Sequence, residues 1–75
     1  MTFYWDFYGP DAEGTATHHR RHVEEFLAAR GIAGGLSGVQ LAEGHAAAWY
    51  EVPAERADEV GLALRPRRFS EAPPE

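Results

Sequence analysis

The chain contains no cysteine, no lysine and no asparagine. Without cysteine there are no disulfides, no thiolate catalysis and no cysteine-ligated zinc. Without lysine every basic side chain is an arginine, and the missing asparagine completes a pattern expected of coding in a high-GC bacterium. A shortage of thermolabile residues and five prolines also suits a thermophile, although codon bias alone gives the same composition. Long apolar runs are lacking too: none approaches the roughly 18 residues of a membrane span. The N-terminus has neither the charged segment nor the apolar core of a signal peptide. These absences predict a soluble, cytoplasmic protein without a membrane partner.

Excess positive charge is likewise missing. The net charge is −5 and the pI is about 5.3, which argues against generic binding to nucleic acid or anionic lipid. What is present is an ordinary globular composition, 44% hydrophobic and 25% charged. A single domain of 75 residues buries only about 60% of the surface its unfolded chain exposes. Domains of this size commonly add a staple. With disulfides excluded, the choices are oligomerisation, a histidine/carboxylate metal site, or an unaided core.

The stretch Thr15–Arg30 is the clearest helix, with Ala16, Val23, Phe26 and Leu27 recurring on one side. Gly31 supplies a C-terminal stop, and Thr15 or Thr17 can cap the start after a loop running to Gly14. Before it, Thr2–Tyr8 is an aromatic-rich strand. Its period of two puts Phe3, Trp5 and Phe7 on one face and Tyr4, Asp6 and Tyr8 on the other. The first set faces the helix, and the more amphipathic second set is left on an open face.

Leu36–Ala42 and His45–Val52 form a hairpin about Glu43-Gly44. Pro53 suits the first turn of a second helix, from Ala54 to about Val60 or Leu64. Residues 62–69 are ambiguous. Either that helix continues until Pro66 stops it, or Gly61 ends it and a final edge strand follows; the strand is favoured. This order, β-α-β-β-α-β, resembles a ferredoxin-like plait: an α+β fold with an antiparallel sheet and two helices on one face. The domain then covers residues 1–69, with 70–75 a flexible C-terminal tail. The resemblance rests on element order and implies a shape without an activity.

Several side-chain groupings carry chemistry. His18, His22 and Glu25 lie within about 60° of one another at ~100° per residue, a spacing that can hold zinc or a similar divalent cation. His45 is a further ligand if the fold brings it near. The sequence HHRRH lacks the glutamate of a metalloprotease HExxH, and its two arginines disfavour a cation. The plainer alternative is that His18 and His22 are solvated while His19 packs at the edge of the core. Arg20 and Arg21, with Arg65, Arg67 and Arg68, could neutralise phosphates, but the third strand lacks the stacking aromatics of plait RNA-binding domains, so nucleic acid is an unlikely partner. The same arginines can instead pair with neighbouring acidic residues.

On the open face, Tyr4, Asp6, Tyr8 and Gln40, with Trp49 or Tyr50, form the candidate interface or ligand surface. Alternation places Trp49 and Tyr50 on opposite sides. Exposed aromatic patches mark interfaces, so a homo-oligomer is expected. Asp6 among aromatics is either an acid/base group of raised pKa or a charge that discourages association. No catalytic constellation is visible: Ser37 lies in GLSGV, which departs from the nucleophile elbow, and the glycine run precedes a strand where a phosphate loop precedes a helix. The expected function is a self-associating binding or assembly module. The alternatives are a divalent-metal-binding protein and an enzyme whose site is completed across a subunit boundary.

Overall fold

The computed structural model describes residues 1–32 and 35–71. The first strand, β1 (Thr2–Tyr8), leads into a long helix, α1 (Ala12–Ala29). A hairpin of β2 (Ser37–Ala42) and β3 (His45–Glu51) follows. A 3₁₀ turn at Ala54–Arg56 then runs into α2 (Ala57–Leu64), and the described chain closes with the short β4 (Arg68–Ser70). The four strands form one antiparallel sheet in the order β2-β3-β1-β4. This is an α+β fold consistent with the ferredoxin-like plait.

The aromatic alternation of β1 decides which face the helices cover. Phe3 and Trp5 are buried against Val23 and Leu27 of α1 and Val60 of α2, with Tyr50 and Val52 completing the main core. A second cluster is built almost wholly from alanine: Ala12 and Ala16 on α1 meet Ala46 and Ala48 on β3, flanked by Phe7 and Val39. Small side chains on both surfaces let the N-terminal half of α1 sit close over β3. The indole of Trp5 also ties the layers together, donating to the Leu64 carbonyl at 2.9 Å and so satisfying an orphan acceptor in the last turn of α2.

Several boundaries differ from the expectation. Helix α1 begins at Ala12 rather than Thr15, so the anticipated loop to Gly14 is its first turn. Thr15 and Thr17 do not cap it; their hydroxyls donate back to the Asp11 and Glu13 carbonyls at 3.0 and 2.9 Å. Its C-terminus meets the expected stop at Gly31, with the last helical residue at Ala29 and Arg30 as the cap. Gly31, at φ 67°, donates to the Ala28 carbonyl at 3.1 Å, and Ile32 donates to Leu27 at 2.9 Å. Those are the two bonds of a Schellman motif, and buried Ile32 packs with Leu27 in the core as the motif favours.

The two alternatives for residues 62–69 are both partly realised. Helix α2 runs through Gly61 to Leu64, and a strand still follows. The change of direction falls on Arg65, which adopts a left-handed conformation (φ 48°, ψ 65°), before Pro66. Arg67 then donates to the Tyr4 carbonyl at 2.8 Å, and β4 pairs Arg68 with Tyr4, Phe69 with Phe3 and Ser70 with Thr2. The last strand thus takes in Ser70, which was expected to begin the tail. Of that tail, residues 72–75 lie outside the described residues, as does Gly34 of the glycine run. Among the described residues no helix is long and apolar enough to cross a membrane.

Candidate functional site

The register of the sheet brings one polar constellation together on the face opposite the helices. Along β1, Tyr4, Asp6 and Tyr8 point to this side. Their cross-strand partners are Trp49, Ala47 and His45 on β3, and Arg68 lies opposite Tyr4 on β4. Partners directly opposite in an antiparallel pair share a face. The surface is therefore contributed by three strands distant in sequence.

At its centre is Asp6, whose side chain is only 7% exposed. Arg68 grips it with two donors, Nε to Oδ2 at 3.0 Å and Nη2 to Oδ1 at 2.7 Å. This is the bidentate fork that makes arginine–carboxylate pairs strong. From the other side His45 Nε2 stands 2.8 Å from Oδ1. An ionised carboxylate only accepts, so the imidazole donates. The hydrogen bonds from Arg68, then that from His45, hold the Asp6 carboxyl below its ordinary value of 3.8, against the opposing effect of burial. The same contact, led by its hydrogen bond with Asp6, raises the Arg68 pKa. The expectation of a raised pKa at Asp6 is thereby corrected: burial does push upward, but two donors outweigh it.

Aromatic rings brace both donors. The Arg68 guanidinium lies over the Tyr4 ring, 4.6 Å from its centroid, a cation–π arrangement. The His45 ring sits 4.8 Å from that of Tyr8, tilted by 31°. These contacts explain why Tyr4 is 7% exposed on a face that no helix covers, whereas Tyr8, at the strand end, is 71% exposed. Trp49 lies against Gly38, where a Cβ would meet the indole at 3.0 Å. That close approach is why β2 carries a glycine here. Gln40, opposite Ala47, extends the same face and is exposed.

Of the candidate interface residues, the structure brings Tyr4, Asp6, Tyr8, Gln40 and Trp49 onto one surface. Tyr50 does not belong there: it points to the helix side, is 8% exposed and is part of the core. Arg68 and Gly38 were missed as participants. The signal available for Arg68 was a carboxylate embedded in an aromatic strand, which requires a cation from a neighbouring strand.

The histidines separate into three environments. His18 and His22 are paired on the exposed side of α1, Nε2 to Nε2 at 2.8 Å, with rings in T-shaped contact at 4.4 Å. Glu25 reaches His22 Nδ1 at 3.9 Å, on the opposite edge of the ring from Nε2. Among the described residues no cluster of three or more metal-ligating side chains forms. His45, anticipated as a further ligand, is committed to Asp6 on the sheet face that α1 does not touch, so it cannot join that stripe. His19 is half-buried between Trp5 and Phe7, its ring centroid 5.0 and 5.5 Å from theirs. Its Nε2 is buried without a hydrogen-bond partner. Desolvation, helped by His22 and His18, lowers its pKa from the ordinary 6.5. The remaining arginine contacts are structural: Arg30 and Arg56 both donate to Glu59, and Arg20 donates to the Ser37 hydroxyl.

The fold and this surface define an α+β plait with a braced carboxylate–arginine–histidine network on its uncovered sheet face. No protein-family model matches the chain, and no curated protein or solved structure shows significant similarity to it.

Proposed function

We propose that the protein is a small assembly module that self-associates by stacking the open faces of two sheets. The observation that carries this reading is the state of Asp6. A free carboxylate at the centre of the face would oppose its burial, since an unpaired buried charge costs several kcal/mol. Asp6 is already bound by Arg68 and His45, so a second surface can cover it without leaving a charge alone. Tyr8 and Trp49 add apolar bodies with polar tips, the side chains favoured at interfaces. Arg68, the guanidinium that β4 places on this face, is engaged with Asp6 rather than offered to a phosphate.

Size sets the strength. Four strands spaced about 4.8 Å apart and seven residues rising about 3.4 Å each give a face of about 19 by 24 Å. Two such faces cover about 900 Å² between them, below the roughly 1,200 Å² of stable interfaces, so a weak association is expected, micromolar or weaker. Sedimentation velocity across roughly 5 to 500 µM is expected to show a monomer–dimer equilibrium. Tyr8→Arg, at an exposed position, is expected to abolish the dimer and leave the fold's circular dichroism unchanged. A monomer at every concentration, or a dimer indifferent to Tyr8→Arg, would refute the reading. Tyr4 is the wrong probe, because it is buried in the single chain and its replacement by a charge would disturb the fold itself.

A further inference from the structure

We infer that His18 and His22 form a two-nitrogen chelate for a divalent late transition metal of tetragonal preference, Cu²⁺ or Ni²⁺, with Glu25 supporting His22 from behind. The argument starts from helix geometry. Residues four apart stand one above the other on a helix, and here the two rings turn their Nε2 atoms towards each other at 2.8 Å. A metal–nitrogen bond is about 2.0 Å, so two nitrogens at 90° around one metal are about 2.8 Å apart, whereas a tetrahedral angle sets them about 3.3 Å apart. The observed spacing is that of the hydrogen bond in the metal-free pair; it already equals the separation of adjacent corners of a tetragonal ion, whereas a tetrahedral ion would have to part the nitrogens by about 0.5 Å. Both side chains are exposed, so the open coordination positions face water.

The surroundings fit that role. In the metal-free pair one Nε2 carries a proton and donates to the other. Moving that proton to Nδ1 frees both Nε2 lone pairs while keeping both rings neutral, as ligation requires. On His22 the Nδ1 then faces the Glu25 carboxylate, 3.9 Å away. A carboxylate behind a ligating imidazole fixes the tautomer and raises the basicity of the metal-bound nitrogen. At 3.9 Å the carboxylate is in ion-pair range and not hydrogen-bonded; closing by about 1 Å, which its exposed position allows, makes Glu25 a supporting residue and not a third ligand. Of the two arginines in HHRRH, Arg20 turns away, its Nε donating to Ser37 at 3.0 Å.

The test is titration of untagged protein with CuCl₂, read by calorimetry and by electron paramagnetic resonance. One Cu²⁺ per chain is expected, with hyperfine structure from two imidazole nitrogens. His18→Ala and His22→Ala should each weaken binding at least about tenfold and reduce the signal to one nitrogen, and the double variant should lose the imidazole signal altogether. Glu25→Gln is expected to weaken binding about tenfold, and Glu24→Gln not at all. These positions are exposed, so circular dichroism should be unchanged throughout. Absence of binding to the wild type, or binding unaffected by both histidine variants, would overturn the inference. Unchanged affinity in Glu25→Gln would overturn the part assigned to Glu25.

Discussion

Asp6 and His19 make the stability of this chain depend on pH in separate windows. The carboxyl of Asp6 has a folded pKa below its ordinary 3.8 because Arg68 and His45 donate to it. Its stabilising contribution is therefore complete above about pH 3.8 and is lost as pH falls through the lower folded value. Arg68→Ala removes the bidentate grip and uncovers the Tyr4 ring. Because the guanidinium is half exposed, the cost is discounted to about 1 kcal/mol. Urea unfolding is expected to show that gap between wild type and variant at neutral pH, shrinking towards pH 2 as Asp6 protonates in both. His19 acts in a higher window. Its pKa is lowered from 6.5 by burial, so the unfolded chain takes up the proton first. Stability should begin to fall as pH drops below about 6.5, levelling off below the folded pKa. His19→Phe keeps a ring between Trp5 and Phe7 and removes the unpartnered nitrogen. It is expected to raise stability by about 0.5–1 kcal/mol, or a few degrees in melting temperature, and to remove the part of the decline below about pH 6.5 that His19 causes.

At the scale of elements, the contrast between the two helix ends is instructive. Helix α1 leaves through Gly31 in a left-handed conformation, while α2 leaves through Arg65 at φ 48°. A side chain in that region costs about 1–2 kcal/mol, part of which glycine returns as unfolded-chain entropy. Arg65→Gly is therefore expected to raise the melting temperature by the equivalent of about 0.5–1 kcal/mol, measured by calorimetry. The Gly38–Trp49 contact works the other way. Gly38→Ala sets a methyl 3.0 Å from the indole, and the displaced ring should show as a changed near-ultraviolet circular dichroism spectrum.

Local signals of this kind were legible in the sequence. Alternation in TFYWDFY sorted Phe3 and Trp5 from Tyr4 and Asp6, and Gly31 marked a helix end. The start of α1 was hidden because Gly14, a breaker by propensity, is tolerated inside its first turns. The Asp6 network was not legible for a different reason. It depends on two registers, Tyr4 opposite Arg68 and Tyr8 opposite His45, the first spanning most of the chain and the second about half of it. A shift of one residue in either would send the partner to the opposite face.

For the whole molecule, the layered arrangement leaves one face of the sheet without a helix. The proposed association through that face predicts a melting temperature that rises with protein concentration, because only the folded chain would dimerise. Differential scanning calorimetry of wild type and Tyr8→Arg over the same concentration series separates the effects: the slope should vanish in the variant while the dilute-limit value stays the same.

The position of β1 has a consequence during synthesis. Within this domain β1 is made before both strands that flank it, β3 and β4. After Tyr8 is polymerised, about 40 more residues must follow before the β3 partner is complete, a wait of about 2–8 s at ordinary translation rates of about 5–20 residues per second. Throughout that interval a strand carrying five aromatic side chains has neither neighbour available. A chain released before β3 is complete would therefore leave its most aromatic strand unpaired, and β1 is the segment of such a fragment most prone to aggregate.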